Sequence, residues 1–149
     1  MITNVYWLNV ADRSIPFVGV IEHTNMIDRS LYGGHHIVYL TNYPSRESEL
    51  YQKSAEELMD ELTPHLRRLN PDFERSWVLE YHHHKVDGAQ PIIGTNYSER
   101  IPDHRTPIKN LYLANTTQIY PEDRGTNYSV RMGRQVARMV LEDAGEVVD

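Results

Sequence analysis

The stretch from Asn110 to Leu141, NLYLANTTQIYPEDRGTNYSVRMGRQVARMVL, constrains the fold of this chain most. It reads as an apolar strand, a polar loop and a helix in direct succession. Leu111 to Ala114 forms the strand. The loop contains Arg124, Gly125, Thr126 and Asn127, and the helix runs from about Tyr128 to Asp143, with Gly145 as its stop. A glycine-bearing turn that opens a helix leaves main-chain N–H groups without partners, and the positive end of the helix dipole lies beside them. Such a turn suits an electron-rich or anionic group.

The earlier part of the chain divides into strand-length runs and one helical segment. Asn4 to Val10 (NVYWLNV) and Pro16 to Glu22 (PFVGVIE) read as strands close enough to form a hairpin, with a turn at Asp12-Arg13-Ser14. His36 to Asn42 (HIVYLTN) is a third strand, preceded by Gly33-Gly34 and closed by Pro44. Ser54-Ala55-Glu56-Glu57 is a capping box, after which Leu58, Met59, Leu62, Leu66 and Leu69 fall at helical spacing. Pro64 inside this pattern predicts a kink or a split. Ser76 to Val86 (SWVLEYHHHKV) alternates like a fourth strand, and Asp87-Gly88 turns the chain. Residues 89–96 are mixed, since Pro91 argues against a central strand there. Residues 99–107 read as a polar, proline-bearing connection. The predicted class is α+β, with a mixed, mostly antiparallel sheet covered on one face by helices.

A chain of 149 residues suits one domain, or a small domain with an appended piece. Its hydrophobic fraction of 40% and mean hydropathy of -0.58 allow a modest core. The net charge of -6 disfavours nonspecific binding to nucleic acid or to an acidic membrane, because the phosphate attraction behind such binding is missing. Without cysteine there is no disulfide, thiolate zinc site or cysteine nucleophile. No apolar run approaches the ~20 residues of a spanning helix, and the default expectation is a cytoplasmic protein.

Several residue groups invite chemistry. In the last helix, Val130, Gly133, Ala137, Val140 and Ala144 recur at helical spacing as a narrow stripe of small residues. Gly133 costs about 1 kcal/mol relative to alanine there, so close approach of a backbone or a cofactor is expected to compensate. Ala137 and Val140 read as helix-to-sheet packing. Glu22, His23 and Asn25 stand at a strand end, either lining a substrate cavity, with His23 as a proton shuttle, or simply solvated. Tyr120, Glu122, Asp123 and Arg124 share the loop before the helix. Arg124 either holds a substrate carboxylate or pairs with Glu122 or Asp123. His82-His83-His84 puts His82 and His84 on one strand face, which with His35 or His36 would make a zinc ligand set. A polar strand edge is the simpler account, since no HExxH or carboxylate–histidine spacing supports a metal site. The acidic face Glu56, Glu57, Asp60 and Glu61 reads as solvated surface.

The segment from Asn110 to Leu141 resembles the C-terminal flavin-contacting segment of the amine oxidase and protoporphyrinogen oxidase superfamily of FAD-dependent oxidoreductases. Leu111-Tyr112-Leu113-Ala114 matches the last strand of that family. Asn115-Thr116 stands where a glycine and an acidic residue are usual, a departure that removes the usual charge. Pro16 to Asn25, His36 to Tyr43 and Ala89-Gln90-Pro91 resemble the substrate domain of bacterial protoporphyrinogen-oxidase-like proteins. Thr106-Pro107 with Asn110-Leu111-Tyr112 resembles the return into the FAD domain. The resemblance implies that residues 1–107 belong to a substrate-binding domain and residues 108–149 to the strand, loop and helix that complete an FAD-binding domain. It implies flavin contacts at Gly125, Thr126 and Asn127, with Asn115 and Thr116 near the ribityl chain or pyrophosphate. Weaker substrate contacts fall at Glu22, His23 and Arg124.

The chain carries no GxGxxG after a strand, no P-loop and no GxSxG. The glycine-rich turn that holds an FAD pyrophosphate is therefore expected on a separate N-terminal dinucleotide-binding domain. The chain alone is then expected to be inactive and to hold FAD weakly, while the parent oxidises a small molecule. The alternative from the residues is a free-standing α+β binding or dimerisation module without catalysis. Either way, an uncovered last helix predicts association, as in a homodimer.

Overall fold

The computed structural model describes residues 1–145. The chain folds as an α+β protein in two compact units, Met1–Lys85 and Val86 onward. The boundary between these compact units falls at Lys85. Residues 97–107 are tied to the segment just C-terminal to them: Arg105 bridges to Tyr112, and Tyr97 Oη donates to the Thr117 carbonyl at 2.8 Å.

The first unit contains a three-stranded antiparallel sheet in the order β1 (Trp7–Asn9), β2 (Gly19–Glu22), β3 (Val38–Thr41). The strands lie within the three apolar runs and are shorter than them. Leu8, Val20 and Leu40 lie opposite one another across the sheet. They share a face, because side chains alternate along a strand. A short helix α1 (Glu49–Gln52) leads into α2 (Ala55–Leu69). The α2 capping box forms as its sequence dictates: Ser54 Oγ accepts the Glu57 amide and Glu57 accepts the Ser54 amide. Leu62, Leu66 and Leu69 bring α2 onto the core face of the sheet, where Ile2, Ile15, Phe17, Val20, Leu66 and Phe73 are buried together.

In this unit the split at Pro64 and the fourth strand do not form. Pro64 does not split the helix, which runs on to Leu69. Pro64 and Asp60 both lie on the exposed face, where water can replace the amide that the Asp60 carbonyl loses. The fourth strand does not form either. Arg75–Trp77 makes a single helical turn, and most of the alternating residues after it stay exposed, Leu79 at 74%. Alternation alone cannot hold a strand without a neighbour to bond to. The segment is held instead by Val78 against the core and by Lys85 Nζ, which donates to the carbonyls of Tyr51 (2.6 Å) and Lys53 (3.0 Å).

The second unit has one long helix, α3 (Thr126–Asp143), preceded by turns. The expected strand at 111–114 is reduced to the bridge between Arg105 and Tyr112. Its hairpin closes through Asn110, whose positive φ of 64° suits the tight turn before Leu111. Arg105 donates two bonds to Asp143, at 2.8 and 3.0 Å, and Tyr112 Oη donates to the same carboxylate at 2.6 Å. These bonds anchor the end of α3 to the hairpin, and they hold the Asp143 carboxyl down at about 2.

Candidate functional site

The start of α3 is open. Gly125 occupies the cap position in an extended conformation and offers no side chain to the first turn. Its carbonyl accepts the Ser129 amide at 3.0 Å and the Ser129 hydroxyl at 3.2 Å. The amides of Thr126, Asn127 and Tyr128 have no acceptor among the described residues. No acidic residue sits in the first turn to answer the helix dipole. Thr126 and Asn127 are both exposed on the open side of this turn. A β-carbon at Gly125 would come within 2.6 Å of Asn127 Oδ1, so the glycine lets the Asn127 carboxamide fold back over the turn.

The loop before this turn is built from bonds across a long sequence separation. Asp123 Oδ1 accepts the Arg124 amide at 2.8 Å and Gln90 Nε2 at 3.0 Å. The Arg124 guanidinium donates to the Ala89 carbonyl. The Arg124 side chain therefore binds a main-chain oxygen rather than the Glu122 or Asp123 carboxylate. Glu122 pairs with Arg131 at 3.1 Å, and that bond lowers the Glu122 pKa. No local pattern marks the Gln90–Asp123 contact, since the two lie 33 residues apart.

Asn115 and Thr116 stand beside this loop. The Asn115 side chain caps its own short turn, accepting the Thr117 amide at 2.9 Å, while Gln118 accepts the Asn115 amide. Thr116 joins Gln90, Pro91, Asp123 and Arg124 around a cleft of about 20 Å³. That volume seats roughly one water, by the ~10–15 Å³ a water needs.

The stripe of small residues on α3 faces outward. Val130 is 58% exposed, and Gly133, Ala137, Val140 and Ala144 are exposed with it. The half-buried face is Tyr128, Met132, Val136 and Met139 instead. Ala137 and Val140 thus make no packing face. The larger side chains reach the rest of the unit, and the short ones do not. A β-carbon at Gly133 would meet nothing within 4 Å.

In the first unit, Glu22 points into the core rather than into a cavity. It is 1% exposed, and its carboxylate accepts the amides of Ile2 (2.9 Å) and Thr3. His23 Nε2 lies 2.7 Å from Tyr32 Oη and meets the Tyr32 and Tyr39 rings edge-on. Asn25 donates to the Val5 carbonyl at 2.8 Å. His36 Nδ1 sits 3.1 Å from Thr24 Oγ1, and partial burial together with the nearby N-terminal and Arg29 charges lowers its pKa. His82 and His84 stack at 6.3 Å between ring centroids in exposed chain, with Glu80 at 3.2 Å from His82. Among the described residues no three histidine or acidic side chains stand at metal-binding spacing, and no helix is long and apolar enough to cross a membrane. No protein family, curated protein or solved structure matches the chain.

Proposed function

We propose that this chain is the C-terminal region of an FAD-dependent oxidoreductase of the amine oxidase and protoporphyrinogen oxidase-like kind. The observation that carries the reading is the uncapped start of α3, with three main-chain donors free at Thr126, Asn127 and Tyr128. This donor set fits a flavin: neutral N–H groups at a helix N-terminus suit the ring's carbonyl oxygens and the electron density it gains on reduction. Thr126 and Asn127 add polar side-chain atoms without charge. Gly133 supports the same reading, because its cost in the helix has no compensating contact in this chain.

In this proposal Gly125, Thr126 and Asn127 contact the isoalloxazine, and Asn115 and Thr116 lie toward the ribityl chain. Residues 1–107 supply substrate-binding surface, with His23 as its polar member. Bound FAD supplies the hydride-accepting chemistry, while the protein orients substrate and shields the ring. A dinucleotide-binding domain carrying the pyrophosphate turn completes the enzyme. The setting is cytoplasmic, and the substrate is a small molecule.

The visible absorption spectrum of the complete gene product tests the reading. Flavin bands, together with a strand-GxGxxG-helix unit upstream in the reading frame, are the expected result. A colourless product whose reading frame lacks that unit sinks it. The exposed α3 stripe also suits a second reading, a dimerisation module without catalysis. Sedimentation over a wide concentration range separates the two: a colourless dimer favours the module, and a colourless monomer leaves neither.

A further inference from the structure

The arginines of α3 gather on one face. Arg131, Arg134 and Arg138 stand at i, i+3 and i+7, so they line up over two helical turns. With Asn127, Val130 and Gln135 they border an open groove of about 530 Å³. Arg131 is engaged within the chain, over the Tyr128 ring and 3.1 Å from Glu122. Arg134 and Arg138 are exposed and have no partner among the described residues. They lie one turn apart, about 6 Å along the axis. Residues 1–85 supply the opposite pattern. They carry 12 acidic side chains against 8 Lys and Arg, whereas residues 86–145 carry 7 of each. On α2 the Glu57 carboxylate is used by the capping box and Glu61 by Lys53. Glu56 and Asp60 are exposed and have no partner among the described residues. They too lie one turn apart.

We infer that this chain associates with a second copy of itself, the Arg134–Arg138 face of α3 docking on the Glu56–Asp60 face of α2 in the other copy. The equal spacing lets two guanidinium–carboxylate pairs form in register, and the planar guanidinium fork matches a carboxylate. One isolated exposed pair contributes little. Here two pairs act together, and Val130 and Leu141, exposed beside the arginines, add apolar surface to the contact. None of the four charges gives up a partner within its own chain to make it. A phosphate polyanion is a poorer occupant of the same face, because a net charge of -6 repels it. The arginine face is turned about a third of a circle from the small-residue stripe of α3. The docking therefore leaves that stripe open and stands independently of the flavoprotein reading.

Sedimentation of the 149-residue chain over a wide concentration range, at low and at high salt, reads the association. The wild type is expected to associate at low salt and to bind itself at least about tenfold more weakly in about 0.5 M salt. Two charge reversals locate the surfaces. The variant Arg134→Glu with Arg138→Glu, and the variant Glu56→Arg with Asp60→Arg, are each expected to sediment as monomers, because each sets like charges face to face. Mixed in equal amounts they are expected to associate again, since the reversed α3 of one then meets the reversed α2 of the other. Circular dichroism checks that the helices survive the changes. Should a reversal unfold its helix, the neutral variant Arg134→Gln with Arg138→Gln carries the test, with self-association expected to weaken about tenfold. A wild type that stays monomeric throughout overturns the proposal. So does association that persists in either reversed variant or in the neutral one, or a mixture that fails to associate. Flavin content does not enter these readings, so a colourless gene product that associates in this way sinks the flavoprotein reading alone.

Discussion

The two units of this protein are held together by different physics. In the first, six buried apolar side chains gather in one cluster between α2 and the sheet. In the second, Ile119, at 7% exposure, is the only apolar residue that reaches full burial among the described residues. Its segments are joined mainly by polar bonds: Arg105 and Tyr112 to Asp143, Gln118 to the Pro102 carbonyl, Tyr97 to the Thr117 carbonyl, and Gln90 to Asp123. Exposed polar bonds contribute about 1 kcal/mol or less each in water. Burial of a large apolar side chain contributes about 1.5–3 kcal/mol. A unit with one buried apolar residue and an amphipathic helix presenting an uncovered face is the kind that another surface would complete. A unit with its own closed cluster is not.

Breaking the first unit's cluster has the largest expected effect. Phe73→Ala or Leu66→Ala should destabilise it by roughly 2–5 kcal/mol, measured by denaturant unfolding with near-UV circular dichroism on Trp7 and Trp77. A loss below about 1 kcal/mol would mean that the cluster does not hold the unit. Glu22→Gln comes next. The amide nitrogen it introduces must face one of the two donors, Ile2 or Thr3, and the expected loss is about 1–3 kcal/mol, again by denaturant midpoint. Wild-type stability in that variant would show the buried carboxylate to be dispensable.

Gly133→Ala sharpens the comparison from the other side. With open space around the β-carbon, the substitution should stabilise α3 in this chain by about 1 kcal/mol, seen as a gain in helical circular dichroism on heating. Under the proposed flavoprotein reading, the same change in the complete gene product should be neutral or harmful, because a covering surface would meet the new methyl. Equal stabilisation in both would argue against any partner on that face.

The smallest expected effect is in acid. The Asp143 carboxyl is held at about 2 by its bonds from Arg105 and Tyr112, below its ordinary 3.8. A depressed folded pKa stabilises the fold above the unfolded value, and that stabilisation fades as the pH falls from about 4 through about 2. NMR shifts of the α3 C-terminal amides should track this window in the wild type, and Asp143→Asn should abolish the response. A titration midpoint near the ordinary 3.8 would show that the tether does not form.

The fold was legible where local chemistry and burial agreed. The Ser54–Glu57 box and the leucine spacing set α2 without help from the rest of the molecule, and the three apolar runs marked β1 to β3. The Ser76–Val86 alternation was as regular as theirs, yet it found no partner strand. A strand is a relation between two segments, and only one is written in any stretch of sequence. The same holds at the candidate site. Gly125 and the helix after it were readable from residue type, whereas Gln90, 33 residues away from Asp123, was not.

By itself, then, the sequence determined α2 and the body and stop of α3, because each arises from interactions within a few residues, and it marked the apolar runs in which the three strands lie; the first turn of α3 begins at Thr126, two residues before the expected Tyr128. Only the tertiary structure decided which α3 face was covered, that Glu22 would pin the N-terminal segment from inside the core, and that Arg124 would bond a main-chain carbonyl. Those outcomes depend on which distant groups arrive alongside. Periodicity fixes the faces of a helix, but the neighbours choose among them.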